Sequence, residues 1–180
     1  MATKEALRQA WIQDAWSQLE RDFWEGKFVP NNEFDIQAHL YHCLANLKQR
    51  YETDAHVRLH VEWGGHRGQG GAVDLVVTYD TSNQPYVLAE IKETRGDWSR
   101  ATKSDLWNRK LKRDVEKLES LPRNQGATIP SLYMLFFCRG AKRSGLGINS
   151  LQVCTELGSE LKERGVTFLY GPRPEGERFA

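Results

Sequence analysis

Hydrophobic positions recur along this chain with two periods, and the order in which the periods alternate predicts the fold. Leu7, Trp11, Ala15, Leu19 and Phe23 recur every four residues and predict an amphipathic helix over 3–25. "GKFVPNN" breaks that pattern with a glycine and a proline, and offers Asn31 and Asn32 as N-caps for a second helix over about 33–51. The inward stripe of that helix is Ile36, Leu40, Cys43, Leu44, Leu47 and Tyr51. The period then drops to two: in "VRLHVEW", Val57, Leu59, Val61 and Trp63 face one way, as on a half-buried strand. "AVDLVVTY" and "YVLAEIKE" predict two further strands, with "TSNQP" as the turn between them. The five glycines of "GGHRGQGG" (64–71) predict a mobile connecting loop, not a phosphate-binding one, since no Gly-Lys-Ser/Thr follows. A charged helix over about 103–120 turns Trp107, Leu111, Val115 and Leu118 inward. "SLYMLFFC" is apolar enough for a central strand covered on both faces. A helix over 149–164, with Val153, Leu157 and Leu161 inward, and a short strand "VTFLY" complete the pattern.

The order α–α–β–β–β–α–β–α–β predicts an α/β fold. Three strands form a meander, and the later strands join a mixed sheet through helical crossovers, leaving helices on both faces. With 180 residues, no repeat and no low-complexity linker, a single domain is expected over 1–180: a helical extension over 1–30, a core over 31–170 and a tail over 171–180. No apolar run approaches the ~20 residues that span a bilayer, so no membrane partner is expected. The polar start has no signal-peptide core, and Cys43, Cys138 and Cys154 are widely spaced in apolar patterns. Both features predict reduced, packed thiols in a cytoplasmic protein. His39 and His42, three apart on a helix, lack a third ligand at helical spacing and are read as packing or surface residues.

The strand "VLAEIKET" (87–94) departs from its own pattern. Glu90 and Lys92 project from one face while Ile91 points to the other, and ionised groups are seldom buried unless paired or bound to metal. Asp74 interrupts "AVDLVV" in the same way. A meander of short turns brings these two carboxylates near each other, where they repel unless a cation lies between them. Hard oxygen donors suit Mg²⁺, with Mn²⁺ as substitute, and Lys92 adds a positive charge without being a ligand. Glu33 falls on the inward stripe of its helix with Gln37 one turn later. Two readings of Glu33 stand: a favourable acid at a helix N-terminus, or a third carboxylate aimed at the same metal. The net charge of +1 conceals a basic run over 95–113, with seven Lys/Arg against two Asp. That run is either a nucleic-acid-facing surface or a solvated helix face.

Asp74 followed by Glu90-Ile91-Lys92, on consecutive strands after a helix with an inward Glu, resembles the PD-(D/E)XK nuclease superfamily. The resemblance runs from about residue 33 to 140 and includes "RDVEKLESL" (113–121) as the helix after the Glu-x-Lys strand; Val73 stands where the motif has proline. It implies a restriction endonuclease-like fold, an αβββαβ core with an extra N-terminal helix and a C-terminal αβ unit. It further implies a Mg²⁺-dependent nuclease hydrolysing phosphodiester bonds in DNA, an endonuclease of a restriction, repair or defence type, with homodimerisation for cutting two strands. Asp74, Glu90, the Ile91 carbonyl and Glu33, directly or through water, would hold the metal. Lys92 would orient the attacking water, and Gln37 would support the set. Arg95, Trp98, Arg100, Lys103, Arg109 and Lys110, with His66 and Arg67 of the glycine loop, are candidate nucleic-acid contacts. Trp107 fits the core stripe instead. The competing reading is a catalytically inactive scaffold of the same kind, serving nucleic-acid binding or protein interaction.

Overall fold

The computed structural model describes residues 4–51, 57–63, 72–79, 85–94, 102–120, 130–139 and 148–173. Helices α1 (Lys4–Trp24) and α2 (Glu33–Tyr51) precede a meander of β1 (Val57–Trp63), β2 (Val73–Tyr79) and β3 (Pro85–Thr94). Next come α3 (Lys103–Leu106), a π-helical stretch (Trp107–Leu111) and α4 (Lys112–Ser120), which run on from one another. Strand β4 (Ser131–Cys138), helix α5 (Ile148–Glu163) and strand β5 (Val166–Gly171) follow. The expected order of elements is therefore present. The strands form one five-stranded sheet in sequential order, β1-β2-β3-β4-β5. The first two pairings are antiparallel and the last two parallel, so the sheet is mixed, and helices cover both faces.

Strand alternation divides the core in two. Leu75, Val77, Val87, Ala89, Ile91, Tyr133, Leu135 and Phe137 pack beneath α1 and α2, while Val76, Leu88, Met134 and Phe136 pack against α3–α5. Helix α1 is no appendage: Trp11, Ile12, Ala15, Trp16, Leu19 and Phe23 are all buried, and Trp11 Nε1 donates to the Leu44 carbonyl of α2 (3.0 Å). Gly26, at φ 76°, lies just past its end, where a left-handed residue stops a helix at least cost. Asn32 caps α2, its Oδ1 accepting from Asp35 N (3.1 Å). At α3, Thr102 and Asp105 form a reciprocal capping box. The π turn sets Leu106 and Leu111, five apart, on one buried face. Trp107 packs at the rim of that core with the Arg164 guanidinium 4.9 Å over its ring, as its place in the stripe predicts.

One element differs from its sequence pattern. Val57 of β1 is buried, but Val61 is 45% exposed. Burial falls along this edge strand while its register with β2 stays constant from Val57 to Trp63, and Glu62, after Val61, takes φ 49°, a left-handed conformation uncommon outside glycine. The three cysteines are free and buried, and burial pushes the Cys43 and Cys154 thiols up to about 12. No helix among the described residues is long and apolar enough to cross a membrane.

Strand β5 is locked to α1 through Glu20, which is fully buried. Glu20 Oε1 accepts from Arg173 N (2.9 Å), and Trp24 Nε1 donates to the Arg173 carbonyl (2.9 Å). A Cβ on Gly171 would meet Glu20 Oε1 at 2.1 Å and its carboxyl carbon at 2.9 Å. Gly171→Ala must therefore displace a buried carboxylate from its amide donor. We expect a loss of about 3 kcal/mol in chemical denaturation, from overpacking and a weakened charge-assisted hydrogen bond.

Candidate active site

Strand β3 changes neighbours halfway along. Val87, Leu88 and Ala89 pair with β2 on one side and β4 on the other, but beyond Ala89 the register with β2 ends while β4 continues to Thr94. Among the described residues, the upper half of β3 thus has an edge with no strand beside it. Two side chains take that place. Ile91 N–H donates to Asp74 Oδ2 (2.7 Å), and Glu93 N–H donates to Glu33 Oε2 (3.3 Å). Those amides are two residues apart and so face the same way, and the same alternation turns the Ile91 carbonyl toward that edge. The carboxylates of β2 and of the first turn of α2 therefore converge on the splayed end of the sheet.

Glu90 and Lys92 project from the sheet face covered by α4. Glu90 is 1% exposed, and Lys117 Nζ of α4 lies 2.6 Å from its Oε1, off the alignment of a hydrogen bond. That ammonium donates to the Ala72 carbonyl (2.8 Å). Burial, then the charge of Asp74, pushes Glu90 up to about 8 against the opposing pull of Lys117. Asp74 and Glu33 are raised too, chiefly by burial; the Ile91 amide moderates the first and the Lys92 charge the second. Lys92 Nζ sits between Asp114 Oδ2 (3.1 Å) and Glu33 Oε1 (3.4 Å). Burial pulls Lys92 down, but the charges of Asp114 and Glu33 outweigh it and hold the ammonium above its ordinary value.

Gln37 anchors this group from α2. Its Nε2 donates to the Asp74 carbonyl (2.5 Å) and to Glu62 Oε1 (3.3 Å), fixing β2 where it parts from β3. The β1–β2 register runs without a shift from Val61↔Leu75 to Trp63↔Val73, which sets Glu62 and Asp74 at the intervening position. Arg139, after β4, closes the top: it grips Glu93 with two nitrogens (2.6 and 3.3 Å) and donates to the Pro30 carbonyl (3.1 Å).

The structure thus brings Glu33, Gln37, Asp74, Glu90, Ile91 and Lys92 together. It adds Asp114, Lys117 and Glu62, which sequence reasoning missed. Asp114 had a legible signal: it lies with Leu111, Val115 and Leu118 on the inward stripe of its helix, and is buried. Lys117 and Glu62 had none, because a half-buried lysine and a glutamate on an edge strand look like surface residues. Of the proposed nucleic-acid contacts, Lys103 is joined to Glu160 of α5, and Arg109 lies 3.6 Å from Asp105. Lys110 is half-buried on the π turn. Arg95, Trp98, Arg100, His66 and Arg67 lie outside the described residues.

Asp74 lies close enough for its charge to act on both Glu90 and Glu33, but the three carboxylates do not all come within 4.8 Å of one another, so Asp74 and Glu90 are the pair that could hold an ion, with the Ile91 carbonyl beside them and Glu33 acting at longer range. Burial and the charge of Asp74 raise Glu90 strongly, and carboxylates of this kind are groups that could hold a hard divalent ion. Compared with known proteins, the chain matches no protein-family model, no curated protein and no solved structure at a significant level.

Proposed function

We propose that this protein is a Mg²⁺-dependent nuclease that hydrolyses phosphodiester bonds in DNA, built on a restriction endonuclease-like fold. The observation that carries the reading is the placement of Asp74 on the Ile91 amide and of Glu33 on the Glu93 amide and Lys92, with the charge of Asp74 acting on buried Glu90, where β2 and β3 separate. Mg²⁺ held by Asp74, Glu90 and the Ile91 carbonyl, with Glu33 acting at longer range, would acidify water and offset charge on the scissile phosphate. Lys92 keeps a proton and a positive charge beside that place, held by Glu33 on one side and Asp114 on the other, where it orients water and stabilises the crowded phosphate. Glu33 ties the cation of Lys92 to the backbone of Glu93, so the nucleophile-orienting group moves with the strand. Gln37 keeps Asp74 in register by holding its carbonyl.

A second reading, an inactive scaffold for nucleic-acid or protein binding, draws on one feature. Lys117 already lies against Glu90, and Lys92 is already paired with Glu33 and Asp114. Incubation with supercoiled, linear and single-stranded DNA and with RNA, in Mg²⁺ or EDTA, separates the two. Cleavage of DNA in Mg²⁺ and none in EDTA is expected. Intact substrates throughout, together with Mn²⁺ binding no different in Asp74→Asn, would leave the scaffold as the reading.

A further inference from the structure

On the opposite sheet face, between the end of α1 and the middle of α2, stands a second group of metal-ligating side chains. His39 and Cys43 are four apart on α2 and so share a face of the helix. Asp22 reaches them from α1. A carboxylate oxygen of Asp22, a ring nitrogen of His39 and the Cys43 sulfur all lie within 4.8 Å of one another. We propose that Asp22, His39 and Cys43 form a Zn²⁺ site that staples α1 to α2.

The donors are held in place before any ion arrives. Gln18 Nε2 donates to Asp22 Oδ1 (2.8 Å), which leaves Oδ2 directed at His39 Nε2, 2.8 Å away. The His39 ring is stacked on Phe28, with centroids 4.1 Å apart and planes 7° from parallel, so its rotation is fixed. Supporting contacts of this kind orient metal ligands and raise affinity. Cys43 is buried at the base, while the Asp22 and His39 side chains are 13% and 21% exposed at the rim, which gives an ion a way in. Thiolate, imidazole and carboxylate together select a borderline ion such as Zn²⁺ over Mg²⁺, and three protein ligands leave a fourth position for water. His42 stays outside the set, its Nε2 engaged with Asn46 (2.8 Å).

The test uses the whole chain, reduced, in saturating Mg²⁺ and titrated with Co²⁺ as a spectroscopic probe. A near-ultraviolet thiolate-to-cobalt band is expected, saturating at one ion per chain and abolished by Zn²⁺. The band should vanish in Cys43→Ala, weaken in apparent affinity by more than about tenfold in His39→Gln, and be unchanged in Asp74→Asn. Absence of the band in the natural sequence, or its persistence in Cys43→Ala, overturns the site. Should Cys43→Ala fail to fold, His39→Gln decides: undiminished Co²⁺ affinity in that variant overturns the proposal equally.

Discussion

Lys92→Ala should lower Mg²⁺-dependent cleavage of DNA by about 10²–10³-fold, the loss seen when one fixed charge beside a reacting group is removed. Affinity for DNA should change little, because phosphate contacts spread over many basic residues supply it. The expectation rests on where the ammonium is held. It lies between Asp114 and Glu33, and Glu33 also binds the Glu93 amide, so its position is set by α2, β3 and α4 together. Removing it strands two carboxylates, and we expect a stability loss of about 1–3 kcal/mol as well. Lys92→Met, which keeps the stem and its packing, separates the two effects: cleavage falls as far while part of the stability returns. Full Mg²⁺-dependent cleavage by Lys92→Ala would sink the nuclease assignment.

A second large effect concerns the buried proton of Glu90. The unfolded chain gives up this proton near the ordinary value of 4.5, whereas the native protein keeps it to about 8. Between those limits the native state binds more protons, so rising pH favours unfolding. In EDTA, stability should fall by about 1.4 kcal/mol per pH unit across this window, on the order of 5 kcal/mol in all, and level off above it. Asp74 and Glu33, raised by burial as well, contribute with the same sign. Glu90→Gln should flatten the curve, make the protein more stable than the natural sequence at pH 8, and abolish cleavage. Denaturation series at several pH values check this; an unchanged slope in Glu90→Gln would place the buried proton elsewhere. Mg²⁺ should restore stability at the alkaline end, since a ligand that binds only the native state stabilises it.

The carboxylates of the site were legible because each stood where an apolar residue belongs. Asp74 and Glu90 interrupt strand runs, and Glu33 interrupts a helix stripe. Periodicity detects such misfits, and the same test applied to α4 finds Asp114. It has no purchase on Lys117, whose long stem reaches Glu90 from a half-buried position that any solvated lysine could occupy. Nor does it find Glu62, whose place follows from one left-handed residue on an edge strand. Basic residues were the least legible. Charge alone cannot tell a phosphate contact from Lys103, which has a carboxylate partner on α5, or from Arg139 after β4, which is committed to Glu93. The cysteine of the proposed Zn²⁺ site stands four residues beyond His39 and was counted with the core.

The flank of β3 beyond Ala89 would couple an ion bound by these carboxylates to the backbone. Ile91 and Glu93 have carboxylate oxygens, not a neighbouring strand, as acceptors for their amide hydrogens. Any ion that draws Asp74 and Glu33 toward itself competes for those same oxygens, so metal occupancy and amide protection become opposing quantities at two positions. Hydrogen exchange at Ile91 and Glu93 would then report the filling of the site without any substrate, while Leu88 and Ala89, paired with strands on both sides, serve as the internal standard.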